Sequence, residues 1–164
     1  MKKYEHLPIF GIGPAYVVSI LLPTMIGVIL RNNHVFASGR IITLRIPLAI
    51  VGVVFIILAA ILWIQAVIVS KLDENIKKNH LVTSGVYAWV RNPIYSAFLF
   101  LCTGVLLFCR NWFFLILPFI FWGFLTAVMK LTEEKWLKNL FGESYVAYCK
   151  RVNRFIPWKK IKNG

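Results

Sequence analysis

The 164 residues are 59% hydrophobic and only 15% charged, a balance too apolar for an ordinary water-soluble domain, and the length allows one compact unit. The formal net charge of +13 would suggest nucleic acid in a soluble protein. Here the placement of the basic residues gives that charge another use, and the sequence is read as having no nucleic-acid partner.

In chain order, Lys2 and Lys3 precede an uncharged run over 11–30. A basic start before an apolar run can mark a cleaved signal peptide, but the run is long and lacks an obvious small-residue cleavage site, so it reads as a span. Uncharged runs follow over 46–70, 92–109 and 111–129. Each approaches or exceeds the roughly 20 residues a helix needs to cross about 30 Å of hydrocarbon. The third and fourth are separated only by Arg110 and must form a tight hairpin if both span. The expected fold is an all-α integral membrane protein of about four transmembrane helices, with a cytoplasmic C-terminal amphipathic helix and tail, in a single domain over 1–164.

With four spans, the segment before 11, the loop 71–91 and the segment after 129 share one side and hold fifteen of the 19 Lys and Arg residues. The remainder are Arg31, Arg40, Arg45 and Arg110. The positive-inside rule places both termini and the middle loop in the cytoplasm, where basic residues also attract anionic membrane lipids. Most polar residues able to do chemistry lie in 71–92 and 130–164, and the topology brings both segments to that face. Cys102, Cys109 and Cys149 show neither a disulfide framework nor metal spacing. His6, His34 and His80 are too scattered to form a metal cluster, and no metal is expected. No feature points to a particular oligomeric state.

Ser84-Gly85 reads as a turn. Asn92-Pro93 reads as a helix start, with Asn92 as N-cap and Pro93 at the first helical position. The unpaired N–H groups of such a start can receive a polar ligand edge; equally, Asn92 can simply cap a membrane helix. After the fourth run, 130–141 is predicted to continue helically to Gly142 as the capping glycine. At about 100° per residue, Trp136, Leu137, Leu140 and Phe141 form an apolar stripe, with Glu133 within it and Glu134 at its edge. A carboxylate on that inward face needs a cation or hydrogen-bond donor, which makes Glu133 the strongest single candidate; the other reading is a carboxylate reaching interfacial water or pairing with a lysine. Tyr145, Tyr148, Lys150, Arg151 and Arg154 interleave aromatic and basic character before Pro157 and Trp158, as in a tail lying on lipid headgroups.

The stretch from Leu81 to Tyr95, LVTSGVYAWVRNPIY, followed after a hydrophobic hairpin by Glu133-Glu134 and then Phe141-Gly142-Glu143-x-Tyr145-x-x-Tyr148, resembles the isoprenylcysteine carboxyl methyltransferase family and its phospholipid methyltransferase relatives. Several elements in order and spacing carry the likeness, which covers about 79–157. It implies a pocket for S-adenosylmethionine, with contacts falling on His80, Leu81, Val82, Tyr87, Asn92, Pro93, Ile94, Tyr95 and Glu133. It also implies a membrane-soluble acceptor, either the carboxylate of an isoprenylcysteine or isoprenoid-like molecule or a phospholipid amine or a thiol. Arg91 and Lys130 are candidates for an acidic acceptor group, and Arg91 also fits a positive-inside anchor. Two departures stand out: Asn92 replaces the family's usual His, and Met129 replaces an Arg associated with the substrate carboxylate, leaving Lys130 without an arginine's planar grip. No catalytic base is assigned, so transfer would proceed by alignment and desolvation. A nicotinamide-dependent sterol-type reductase and a non-enzymatic membrane scaffold are the rival readings.

Overall fold

The computed structural model describes residues 13–69 and 81–157. Among them there is no strand, only helices joined by short connections and two isolated bridges, Arg40 with Asn111 and Val90 with Asn153. The expected contact at His80 lies outside the described residues.

Helix α1 (Gly13–Leu30) contains Pro23, which withdraws one backbone donor, as membrane helices tolerate when neighbouring groups compensate. Ser19 and Thr24 turn their hydroxyls back onto the helix, donating to the carbonyls of Tyr16 and Ile20 at 2.7 Å each. Helix α2 (Arg45–Ile64) continues through a wider turn at Gln65–Val69. Helix α3 (Pro93–Cys109) begins at proline, whose missing N–H has no helical partner to lose, and ends at Arg110 with φ 48°. That left-handed residue and Asn111 are the whole reversal. Helix α4 (Trp112–Leu131) has a first turn, Trp112–Leu115, set off from Leu117–Leu131, with Pro118 in the opening turn of the second part.

Three helical stretches are long and apolar enough to cross a membrane: Gly13–Leu30, Arg45–Val69 and Trp112–Leu131. Pro93–Cys109 is equally apolar but, at 17 residues, shorter. Much of the outer surface is aliphatic or aromatic, including Ile29, Ile46, Ile50, Ile57 and Phe119, as suits a bilayer rather than water.

Helix α3 is central, packed mainly against α2 and also against α1 and α4. Small residues permit the α2–α3 contact: a Cβ on Gly104 would lie 2.8 Å from the Gly52 carbonyl oxygen, and one on Gly52 would lie 3.0 Å from that of Gly104. Such backbone approach is how helices associate where lipid already satisfies apolar side chains. Tyr16, Ile20, Leu99, Cys102, Leu106, Phe121, Leu125 and Met129 form the main buried cluster between α1, α3 and α4.

At one end of the bundle Asn111, wholly buried, accepts from Phe113 N at 3.0 Å and donates to the Phe36 carbonyl at 2.7 Å. Ile41 N donates to the Arg110 carbonyl at 2.8 Å, tying the α1–α2 connection to the hairpin.

At the opposite end the structure departs from the expected continuous helix over 130–141. Thr132 leaves helical geometry (φ −124°, ψ −86°), and both its N–H and its hydroxyl return to the Val128 carbonyl. A β-branched hydroxyl residue bonding back in this way competes with the regular ladder. Helix α5 (Glu133–Arg151) restarts after this break, with the Thr132 carbonyl accepting from Trp136 N at 3.1 Å. Gly142 adopts positive φ (56°) and leaves helical geometry as expected, ending the first part of α5 at a kink beyond which a second helical part continues.

Candidate functional site

The loop before α3 folds back on itself at Gly85 (φ 61°) and enters a short 3-10 turn, Gly85–Ala88. Positive φ is cheap only without a Cβ, which explains the glycine after Ser84. Val90, with no exposed surface, packs with Leu62 and Ala97 and fastens the loop to α2 and α3. Asn92 precedes Pro93 as expected, but its side chain makes no capping bond. Its amide donates instead to the Arg154 carbonyl at 3.3 Å, because the chain after α5 runs alongside the loop and presents that acceptor. Arg91 N donates to the Asn153 carbonyl at 2.9 Å and Asn92 N to that of Arg154 at 3.2 Å. The Tyr148 hydroxyl donates to the Tyr87 carbonyl at 2.6 Å. Tyr145 and Tyr148 are each 4% exposed, and Phe155 joins the main core. The 145–155 segment is therefore a clamp over the start of α3.

Beneath this clamp Tyr95, in the first turn of α3, donates its hydroxyl to Glu133 Oε1 at 2.6 Å. Tyr87 lies near Tyr95. The ring of Tyr95 meets that of Tyr16 on α1 edge to face at 5.7 Å, and Tyr16 stacks on Phe124 of α4 at 6.1 Å. The first residue of α1 comes equally close, since a Cβ on Gly13 would lie 3.1 Å from the Tyr95 hydroxyl oxygen. Helices α1, α3 and α5 thus meet at Tyr95 and Glu133, and α4 joins them through Phe124 on Tyr16.

Glu134, read from the sequence as lying at the stripe's edge, is the hub of an ion cluster. Arg154 binds it with two prongs, Nε to Oε1 at 2.5 Å and Nη2 to Oε2 at 2.9 Å. Arg91 Nη1 lies 3.2 Å from Oε1 and also donates to Cys149 Sγ. Burial works against the charged carboxylate, but the Arg154 hydrogen bonds and the charges of Arg91, Arg154 and Lys130 outweigh it and hold Glu134 below its ordinary range. The hydrogen bonds to Glu134 in turn raise the Arg154 guanidinium, despite its partial burial. Burial also pushes the phenols of Tyr87, Tyr145 and Tyr148 upward, so they are neutral donors near neutral pH.

Among the residues picked out from the sequence, Tyr95 and Glu133 bond directly, with Tyr87 close by. Pro93 is buried, while Leu81, Val82 and Ile94 are half-buried in the loop and the first turn. Arg91, with its side chain 8% exposed, is engaged by Glu134 and Cys149. Lys130 is exposed, and Met129 is buried in the core rather than turned toward solvent. Sequence reasoning missed Glu134, Cys149 and Arg154 as one cluster, and missed Tyr16 entirely. The signal for the cluster was present: two arginines beside an apolar mouth need a counter-charge, and acidic residues are scarce in this chain. Among the described residues no group of three His, Cys, Asp or Glu side chains is placed to hold a metal ion.

The chain is 38% identical over 82 residues to the protein-S-isoprenylcysteine O-methyltransferase of Schizosaccharomyces pombe, covering 49% of this chain and 34% of that protein. It is 33% identical over 115 residues to protein-S-isoprenylcysteine O-methyltransferase B of Arabidopsis thaliana, covering 65% and 58% respectively. It is also 36% identical over 94 residues to the Rattus norvegicus protein-S-isoprenylcysteine O-methyltransferase, covering 56% and 33%. The matched region thus spans from about a third to under two thirds of these relatives. No solved structure matches the chain. The family model described as phospholipid methyltransferase matches residues 47–144, which take in α2, the loop, the α3–α4 hairpin and the two glutamates, and the chain belongs to that family.

Proposed function

We propose that this chain is an S-adenosylmethionine-dependent methyltransferase acting on a membrane-soluble acceptor, most specifically the carboxylate of an isoprenylcysteine or isoprenoid-like molecule. In this reading Pro93–Cys109 is a fourth, short span, and the end of the bundle that carries Glu133, both termini and the basic tail faces the cytoplasm. The positive-inside distribution supports that orientation. The names of the curated relatives support the acceptor.

The observation that carries the reading is the Tyr95–Glu133 hydrogen bond. It joins the loop-and-α3 segment to α5, the two segments whose sequence resembles the family, at the end of an apolar bundle. The residues present fit the cofactor. Glu133 Oε1 is oriented by Tyr95, so the carboxylate is presented in a fixed direction and suits a hydroxyl, ammonium or sulfonium. The Trp136 indole N–H, one turn along α5, is buried without a hydrogen-bond partner among the described residues and offers a donor. Tyr87 and Tyr95 bring aromatic faces that favour cations by about 0.5–2 kcal/mol.

Bound S-adenosylmethionine supplies an electrophilic methyl group, and an ionised carboxylate acceptor needs no base to receive it. The protein's part is then alignment and exclusion of water. Tyr95 orients Glu133, Pro93 fixes the start of α3, and the 145–155 clamp holds the loop over both. For an acidic acceptor head, Lys130 is an exposed cation, while Arg91 is already engaged by Glu134 and Cys149 and acts more readily as a brace.

The test is equilibrium binding of S-adenosylhomocysteine and NADPH to the purified protein, with Glu133→Gln as the variant. Binding of adenosylhomocysteine that is lost in the variant, while the protein still inserts and folds, supports the reading. NADPH binding without adenosylhomocysteine binding rejects it in favour of a reductase.

A further inference from the structure

Tyr16 lies on α1, outside the stretch whose sequence resembles the family. It is 1% exposed, and its hydroxyl is buried with no hydrogen-bond partner among the described residues. A hydroxyl left in that condition destabilises the fold, whereas a phenylalanine of the same shape would not. The ring is fixed from two sides, edge-on by Tyr95 and stacked by Phe124, so the phenol cannot swing away to find water. Its surroundings are the apolar cluster of Ile20, Leu99, Cys102, Phe121, Leu125 and Met129.

The position of this orphaned hydroxyl distinguishes two partners. The Tyr95 hydroxyl leads to Glu133, next in sequence to the ion cluster's Glu134, a polar environment suited to a nucleoside-bearing cofactor. Around Tyr16 the side chains are apolar, which suits a molecule that is hydrocarbon over most of its length and needs a donor for one polar end. Tyr95 touches both, through its bond to Glu133 and its ring against Tyr16.

We infer that Tyr16 is a specificity-determining residue, its hydroxyl donating a hydrogen bond to a carboxyl oxygen at the polar head of the lipid acceptor. The inference rests on the methyltransferase reading for the location of the site, but it concerns acceptor binding alone. In this arrangement α1 contributes a recognition group as well as bulk to the bundle.

The experiment compares the wild type with Tyr16→Phe for equilibrium binding of an N-acetyl-S-farnesylcysteine probe in the presence of S-adenosylhomocysteine, alongside adenosylhomocysteine binding and thermal unfolding. The expected result is a roughly tenfold loss of probe affinity, the size of one hydrogen bond to a charged group. Adenosylhomocysteine affinity should be unchanged, and the unfolding temperature equal to or above that of the wild type. A merely structural role would lower the unfolding temperature and would not separate the two affinities. Unchanged probe affinity overturns the inference, as does loss of adenosylhomocysteine binding or failure of the wild type to bind the probe. Probe binding that obeys the expectation without methyl transfer by the wild type would sustain the role of Tyr16 and overturn the catalytic reading alone.

Discussion

The hydroxyl of Tyr95 reaches Glu133 across 38 positions of sequence and bonds its carboxylate at 2.6 Å. Because Tyr95 opens α3 and Glu133 opens α5, this one bond sets the distance between the two helix starts that frame the site.

Tyr95→Phe should weaken adenosylhomocysteine binding by at least about tenfold, since a hydrogen bond to a charged group contributes about 1.5–3 kcal/mol. Calorimetric titration of the purified variant reads this directly. The apolar ring contacts with Tyr16 remain, so the unfolding temperature should move little.

Glu134 gives a pH dependence with a defined sign. Its carboxyl is held below the ordinary value of 4.5, so the stability it contributes is fully present above that pH and is lost as pH falls below it toward the depressed native value. Acid unfolding of the wild type should therefore steepen below about pH 4.5, and Glu134→Gln should lack that component. At neutral pH the variant leaves Arg91 and Arg154 without their shared counter-ion. It should lose about 2–4 kcal/mol, given that breaking a well-buried pair costs 3–5 kcal/mol and this one is partly exposed.

Gly104→Ala tests the crossing of α2 and α3. The added carbon would sit 2.8 Å from both the Gly52 carbonyl oxygen and Ile56 Cγ1, so the helices must separate. A cost of about 1–3 kcal/mol is expected, measured by unfolding in mixed detergent. Gly123→Ala, where the added carbon meets nothing within 4 Å, is the matched control and should be near neutral.

Gly142→Ala probes the kink in α5. The space around a Cβ there is open, so any loss comes from the backbone at φ 56°, ψ −132°, a region that L-residues rarely enter. The variant should be destabilised by about 1–3 kcal/mol. If α5 straightens instead, the Tyr148 bond to the Tyr87 carbonyl is lost, and protease sensitivity of the loop should rise.

The sequence made local features legible because their causes are local. Proline after Asn92 starts α3, glycine after Ser84 supplies a positive φ, and the 3.6-residue period selects Glu133 from its neighbours. Pairings over long separations were not legible: Arg91 with Glu134, Asn92 with the Arg154 carbonyl, and Tyr148 with Tyr87. No spacing rule encodes which of several charged or phenolic groups will meet. The break at Thr132 was hidden for a different reason, since threonine is ordinary inside membrane helices and only its back-bonding to Val128 shows the turn. Tyr16 was invisible because every face of an apolar run looks alike until the neighbouring helices are in place.

Phe155 packs into the same buried cluster as Tyr16, so residues far apart in the chain share one interior. That interior cannot close during synthesis until Phe155 has left the ribosome. A chain cut before that phenylalanine would keep its helices and leave a gap where they meet.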